Sequence, residues 1–232
     1  MASALCANPN DLRITGRVID RDSGGSIDGA IVEARDANGG FVLATTRSRS
    51  DGMYVVPLKE DTAALLIVNL PSGQYAAFHG LVEASRTSQV RIIALSKLSA
   101  EESSWLRRVN RDRAQHHVPA LAMDEAALLA ARAHATDMAR YGYLRHIDGR
   151  GTQPWQRYLA FFGIGRDYEN IAAAQGDSWT DVESAFLAEG RSAHNAIATH
   201  YTNLLNPQAT WAGLAIAHGT ADYFDQELIA FP

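Results

Sequence analysis

The period of the sequence changes at Ser99, and that switch constrains the fold more than any other feature. Upstream, from Leu12 to about Leu95, short runs rich in β-branched residues are divided by Gly, Asp, Asn and Ser. That is the pattern of strands joined by tight turns. Ile14–Ile19, Ala30–Ala34, Phe41–Thr46, Tyr54–Leu58, Ala64–Leu70 and Val90–Leu95 read as strands. Ser23-Gly24-Gly25-Ser26, Asn38-Gly39-Gly40 and Asp51-Gly52 supply residues that accept positive φ between them. An all-β sandwich is expected over residues 1–97.

From Ser99 onward the spacing is helical. Ser99 and Glu102 form an S-x-x-E capping box that opens a helix carrying Trp105, Leu106, Val109 and Arg113 on one side. A second helix follows Pro119 and the N-cap candidate Asp124, with a small-residue stripe of Leu128, Ala131, Ala135, Met138 and Ala139. A third opens at Thr180, with a further capping box to Glu183. Trp211–His218 and Tyr223–Ile229 then read as two strands of a hairpin turned at Gly219. Helices followed by an antiparallel hairpin predict an α+β unit, an α-β-α sandwich, over residues 98–232. The chain is therefore read as multidomain, with a linker so short that the two units are expected to be docked or restricted.

Composition removes several classes of function. With a net charge of -5 and no Lys/Arg cluster, the chain lacks the electrostatic footprint of a nucleic-acid binder. Its longest apolar stretch, Ala63 to Leu70, contains Asn69 and is too short for a transmembrane segment. Cys6 is the only cysteine, so no intrachain disulfide can form, and no role is assigned to its thiol. The N-terminus shows no basic segment followed by an apolar one, as in a cytosolic chain or one from which a leader has been removed.

One carboxylate occupies a position expected of a core side chain. Val182, Ala185, Phe186 and Glu189 fall at i, i+3, i+4 and i+7, which places Glu189 on the apolar stripe of the third helix, facing inward. A buried carboxylate needs a cation, a metal or several donors. The candidates lie in four segments: Leu144-Arg145-His146-Ile147-Asp148-Gly149-Arg150, Tyr168-Glu169-Asn170-Ile171-Ala172, Phe186-Leu187-Ala188-Glu189, and His200-Tyr201-Thr202-Asn203-Leu204-Leu205-Asn206-Pro207.

In order and spacing these segments resemble the CAP superfamily, also called the SCP or cysteine-rich secretory, antigen 5 and pathogenesis-related-1 family. The resemblance covers about Ser99 to Phe231, and includes Val109-Asn110-Arg111-Asp112-Arg113 and Ala131-Arg132-Ala133-His134-Ala135-Thr136-Asp137-Met138-Ala139. It implies a cavity lined by His146, Glu169, Glu189 and His200. Tyr168 stands where the family usually has Gly, and Phe186 where it usually has Trp; the lack of cysteine pairs resembles bacterial members. Upstream, Ile14-Thr15-Gly16-Arg17-Val18-Ile19-Asp20, Asp28-Gly29-Ala30-Ile31-Val32 and Ser50-Asp51-Gly52-Met53-Tyr54 resemble a carboxypeptidase-regulatory-like, transthyretin-like domain.

Two imidazoles, His146 and His200, could hold zinc, with Glu169 and Glu189 fixing their tautomers or acting as general acid and base. The same four groups could equally form a structural polar network. No serine sits in a nucleophile elbow. The expectation is therefore a secreted, periplasmic or cell-envelope-associated CAP protein that binds a small-molecule, lipid or glycan ligand, or a protein partner through the β-sandwich. The alternative is a hydrolase of peptide or cell-envelope polysaccharide, metal-assisted or using the two carboxylates. Among the other histidines, His116 and His117 read as a surface helix end and His79 as a loop residue. His134, His194 and His218 read as packing or solvent residues. Asp148-Gly149 reads as a turn.

Overall fold

The computed structural model describes residues 12–37, 39–58, 63–83, 90–176, 179–190 and 199–230. Cys6, Asn38 and His194 lie outside them. The chain divides into two compact units, Met1–Lys97 and Leu98–Pro232.

The first unit is all-β among its described residues. Its strands are β1 (Leu12–Asp20), β2 (Ile31–Asp36), β3 (Val42–Arg47), β4 (Met53–Leu58), β5 (Ala63–Asn69), β6 (Phe78–Glu83) and β7 (Val90–Leu95). One sheet has the order β4-β1-β7 and the other β3-β2-β5-β6. Alternation explains the shared core: Ile14, Val18, Tyr54, Val56, Ile93 and Leu95 of the first sheet join Val32, Ala34, Leu66, Val68 and Val82 of the second in one cluster. The Asp51-Gly52 turn forms as its residues predict, with the Asp51 carboxylate accepting from Met53 N at 2.9 Å and Gly52 at φ +79°. β6 is the strand that the sequence reading missed. Its run Phe78-His79-Gly80-Leu81-Val82-Glu83 places His and Gly where β-branched residues were sought, and His79 is a buried strand residue rather than a loop residue.

The second unit comprises α1 (Ala100–Gln115), β8 (Ala122–Met123), α2 (Glu125–Tyr141), α3 (Pro154–Ala160), β9 (Arg166–Ala174), α4 (Trp179–Glu189), α5 (His200–Leu204), β10 (Ala209–His218) and β11 (Asp222–Ala230). The Ser99 capping box is formed, the Ser99 Oγ accepting from Glu102 N at 3.0 Å and Glu102 Oε2 from Ser99 N at 2.7 Å. Asp124 caps α2 by accepting from Ala127 N at 2.9 Å. The sheet order is β8-β10-β11-β9, so the terminal hairpin pairs with two further strands, β8 and β9, that the spacing does not predict.

β11 is covered on both faces. On one side Ile229 packs with Ala126, Ala127 and Ala130 of α2 and Tyr158 of α3, and Tyr223 packs with Met138. On the other side Phe224 meets the Trp105 ring of α1 edge-on at 6.1 Å. The small-residue stripe of α2 allows a close approach to β10: a Cβ on Gly213 would fall 2.1 Å from the Ala127 backbone. Arg113, fully buried at the end of α1, donates to the carbonyls of Pro119, Leu204, Asn206 and Ala209 and so ties α1 to the α5–β10 connection.

Two expectations for α4 are corrected. Thr180 lies inside the helix rather than capping it, and its carbonyl accepts from the Ser184 hydroxyl. The buried stripe is Val182, Glu183 and Phe186, so the enclosed carboxylate is Glu183. Glu189 ends the helix with its side chain 38% exposed. Of the expected stripe, Val182 and Phe186 are buried but Ala185 is exposed, so the buried face is rotated toward Glu183 and away from Ala185 and Glu189.

Candidate functional site

β9 and β11 pair antiparallel, with Asp167 opposite Ile229, Glu169 opposite Glu227, Asn170 opposite Gln226 and Ile171 opposite Asp225. Directly paired residues share a face. Asp167, Glu169, Asp225 and Glu227 therefore point toward α2 and α3, whereas Asn170 and Gln226 point to the opposite side.

The four residues drawn from the family resemblance form two imidazole–carboxylate pairs. His146 Nδ1 lies 2.5 Å from Glu169 Oε2, and His200 Nδ1 lies 2.6 Å from Glu189 Oε1. The Glu169 pair is the more enclosed at its acid: that carboxylate is almost fully buried, and its second oxygen accepts from Arg157 of α3. The His146 ring is 53% exposed, and the Glu169 carboxylate beside it raises its pKa above the ordinary histidine value. Arg157 also donates to the carbonyls of His146 and Thr152 at 2.9 and 3.1 Å, fixing the loop that carries the imidazole. That loop is turned at Asp148 as expected, its carboxylate accepting from Arg150 N and Thr152 N. In the other pair the His200 ring stacks on Phe186 at 4.4 Å, so the residue standing in the usual Trp position still provides an aromatic wall.

An amide chain connects the pairs. Asn203 of α5 donates to the carbonyl of Glu169 and to Asn170 Oδ1, and Asn170 donates to the carbonyl of His200 at 3.1 Å and to Gln226 Oε1 at 2.8 Å. Nδ1 of each histidine is taken by a carboxylate, and no described residue holds either Nε2. A carboxylate on one ring nitrogen is the arrangement that presents the other nitrogen to a metal or a polar ligand.

Next to the second pair, α1, α4 and α5 frame a groove of about 450 Å³ walled by Arg108, Asp112, His116, Leu187, Gly190 and Tyr201. Tyr201 follows His200 and Gly190 follows Glu189 in the chain. His116 meets Tyr201 edge-on at 5.9 Å, so the helix end that read as plain surface forms part of the groove.

A second polar cluster lies on the α2 face of the sheet. His134, Glu169 and Asp225 are all buried, and each offers a ligand atom within 4.8 Å of the others. Burial together with the neighbouring carboxylates pushes Asp225 and Glu227 well above the ordinary carboxylate range, and burial pushes Asp167 up to about 6. His134, read from sequence as a packing or solvent residue, donates from Nε2 to the Arg145 carbonyl at 3.0 Å, and burial lowers its pKa. Asp225 and Glu227 could have been found in the sequence, because charged residues at alternate positions of the strand Tyr223–Ile229 must share a face with Ile229. Arg157, Asn170 and Asn203 carried no periodic signal. His218, by contrast, pairs with Asp222 at the exposed hairpin end.

The family model of the cysteine-rich secretory proteins, CAP, matches residues 106–230, and the chain belongs to this family. No curated protein matches the sequence. Among solved structures, an outer surface protein from Borrelia burgdorferi is 18% identical, with a TM-score of 0.49 over 57% of this chain and 93% of that one. An extracellular protein containing an SCP domain from Bacillus anthracis is 22% identical, with a TM-score of 0.44 over 77% of this chain and 64% of that one. A streptococcal ancillary pilin is 16% identical, with a TM-score of 0.32 over 38% of this chain and 30% of that one. Among the described residues, no helix is long and apolar enough to cross a membrane.

Proposed function

We propose that this CAP protein is a secreted or envelope-associated binding protein whose His146/Glu169 and His200/Glu189 pairs hold a polar ligand or a divalent metal such as zinc. The observation that supports this most directly is the orientation of both imidazoles by carboxylates on Nδ1. Donor chemistry fits the metal: imidazoles with carboxylate partners suit a borderline-soft cation, and two histidines alone leave coordination positions for a ligand. Bound there, the metal would supply Lewis-acid polarisation of a ligand oxygen. The groove beside Tyr201 gives the rest of a small-molecule, lipid or glycan ligand an amphipathic wall.

The alternative is a hydrolase of peptide or envelope polysaccharide. Here the structure favours different roles for the two glutamates. Glu169 has both oxygens engaged, by Arg157 and His146, whereas Glu189 is partly open to solvent and is the better placed to exchange a proton with substrate. The N-terminal unit is read as a carboxypeptidase-regulatory-like sandwich that docks or targets the protein. Phe41, Val42 and Leu43 at edge strand β3, Leu81 at edge strand β6 and Ile92 at edge strand β7 are among its exposed apolar residues.

Elemental analysis with zinc titration of wild type, His146→Ala and His200→Ala tests the reading. Binding weakened by both substitutions supports it. Zinc binding indifferent to both, together with no binding of a lipid and glycan panel, overturns it. For the hydrolase, Glu169→Gln and Glu189→Gln must each reduce turnover; unchanged turnover eliminates that alternative.

A further inference from the structure

The cluster under α2 has an electrostatic deficit that the two histidine–glutamate pairs do not explain. Asp167, Glu169, Asp225 and Glu227 project from β9 and β11 toward a space whose one guanidinium among the described residues is that of Arg157. Asp225 and Glu227 are fully buried. Apart from a proton that Asp167 and Glu227 can share, no donor group of a described residue reaches either oxygen of Asp225, of Glu227 or of Asp167. Anionic oxygens enclosed without donors carry a desolvation cost that a cation or bound protons must offset.

An imidazole borders the same space. His134 of α2 is 1% exposed. Its Nε2 lies 3.8 Å from Glu169 Oε1 and 3.0 Å from the Arg145 carbonyl, while Nδ1 is buried and without a partner among the described residues, so the ring binds a cation through Nε2 once its proton moves to Nδ1. One nitrogen of this ring, one oxygen of Glu169 and one of Asp225 lie within 4.8 Å of one another, a separation that an ion between them can span with bonds of about 2 Å after a small contraction.

We propose that His134, Glu169 and Asp225 form a buried divalent-cation site beneath α2, with Glu227 and Asp167 as its outer acidic wall. One imidazole with carboxylates selects cations that accept mixed nitrogen and oxygen donors, the zinc and manganese class, over calcium. The site is separate from the His146 and His200 imidazoles and touches that region only through Glu169. It lies between helix and sheet, so the cation has a structural role: it joins α2 to the two strands that carry the acids.

Isothermal titration with Zn²⁺ and with Mn²⁺, together with thermal unfolding, tests this on the full chain. The His146→Ala/His200→Ala double variant is expected to retain one equivalent and to melt higher when loaded. Adding Asp225→Asn, a shape-conserving change that removes one buried charge, should weaken that binding on the order of 100-fold and abolish the thermal shift. His134→Gln is the independent second lesion and should give the same loss. If the double variant takes up neither metal, protons alone neutralise the acids and the site falls. Binding by the double variant that survives both Asp225→Asn and His134→Gln also overturns it.

Discussion

Trp105 of α1 donates its indole N–H to Glu183 Oε2 of α4 at 2.9 Å, with both side chains fully buried. Burial pushes the Glu183 carboxyl up to about 7, against the pull of that same indole N–H. In the unfolded chain the group titrates near 4.5. Between those values the folded state holds a proton that the unfolded state has lost, so this contribution is complete below pH 4.5 and is lost as pH rises through 7.

Glu183→Gln should therefore remove about 2 kcal/mol of the fall in stability between pH 5 and pH 8. Urea unfolding of both proteins at the two pH values measures it. A parallel decline in wild type and variant would show that Glu183 is not the group responsible.

Trp105→Phe keeps the apolar volume facing Phe224 but leaves the Glu183 oxygen without its donor. The expected loss is about 2 kcal/mol. In a double-mutant cycle with Glu183→Gln the two changes should be strongly non-additive; strict additivity would mean that the indole bond contributes nothing.

Breaking the Arg157–Glu169 pair from the cationic side adds an uncompensated anion to a face already rich in carboxyls. Arg157→Met is expected to cost about 4 kcal/mol, and to release the His146 loop whose carbonyls Arg157 holds. Glu169→Gln should cost markedly less, because it removes a charge from that crowded face. Denaturation midpoints of the two variants order them, and the reverse order would contradict this account.

Gly213→Ala places a methyl group where the backbone of α2 already stands. Helix and strand must separate, at about 3 kcal/mol. Thermal unfolding tests it, and a melting temperature unchanged within error would mean that α2 can move freely away from β10.

The chain announces its architecture through period and punctuation. The switch at Ser99, the Ser99 and Asp124 caps and the hairpin of β10 and β11 are legible because each rests on local chemistry. β6 escaped because His79 and Gly80 interrupt its pattern, and β9 because its run Asp167-Tyr168-Glu169-Asn170 is polar on both faces. The His146–Glu169 and His200–Glu189 pairings were approached only through a family resemblance, since partners 23 and 11 residues apart leave no periodic trace. Glu189 was misplaced for a definite reason. The small apolar Ala185 drew the expected stripe to one side, whereas the buried face of α4 is centred between Val182, Glu183 and Phe186, which leaves both Ala185 and the helix-ending Glu189 off it. The buried acids of β11 lay in plain view as Asp225 and Glu227, but burial on both sides of one strand depends on which helices cover it.

The placement of β11 between β10 and β9 governs when this unit can be completed during translation. Residues 166–174 have no neighbour on that side of the sheet until residues 222–230 have left the ribosome, so β9 and the Glu169 it carries wait for the β11 segment to be synthesised. The nascent chain must hold its helices without their central strand, a stage at which exposed apolar surface invites chaperone capture.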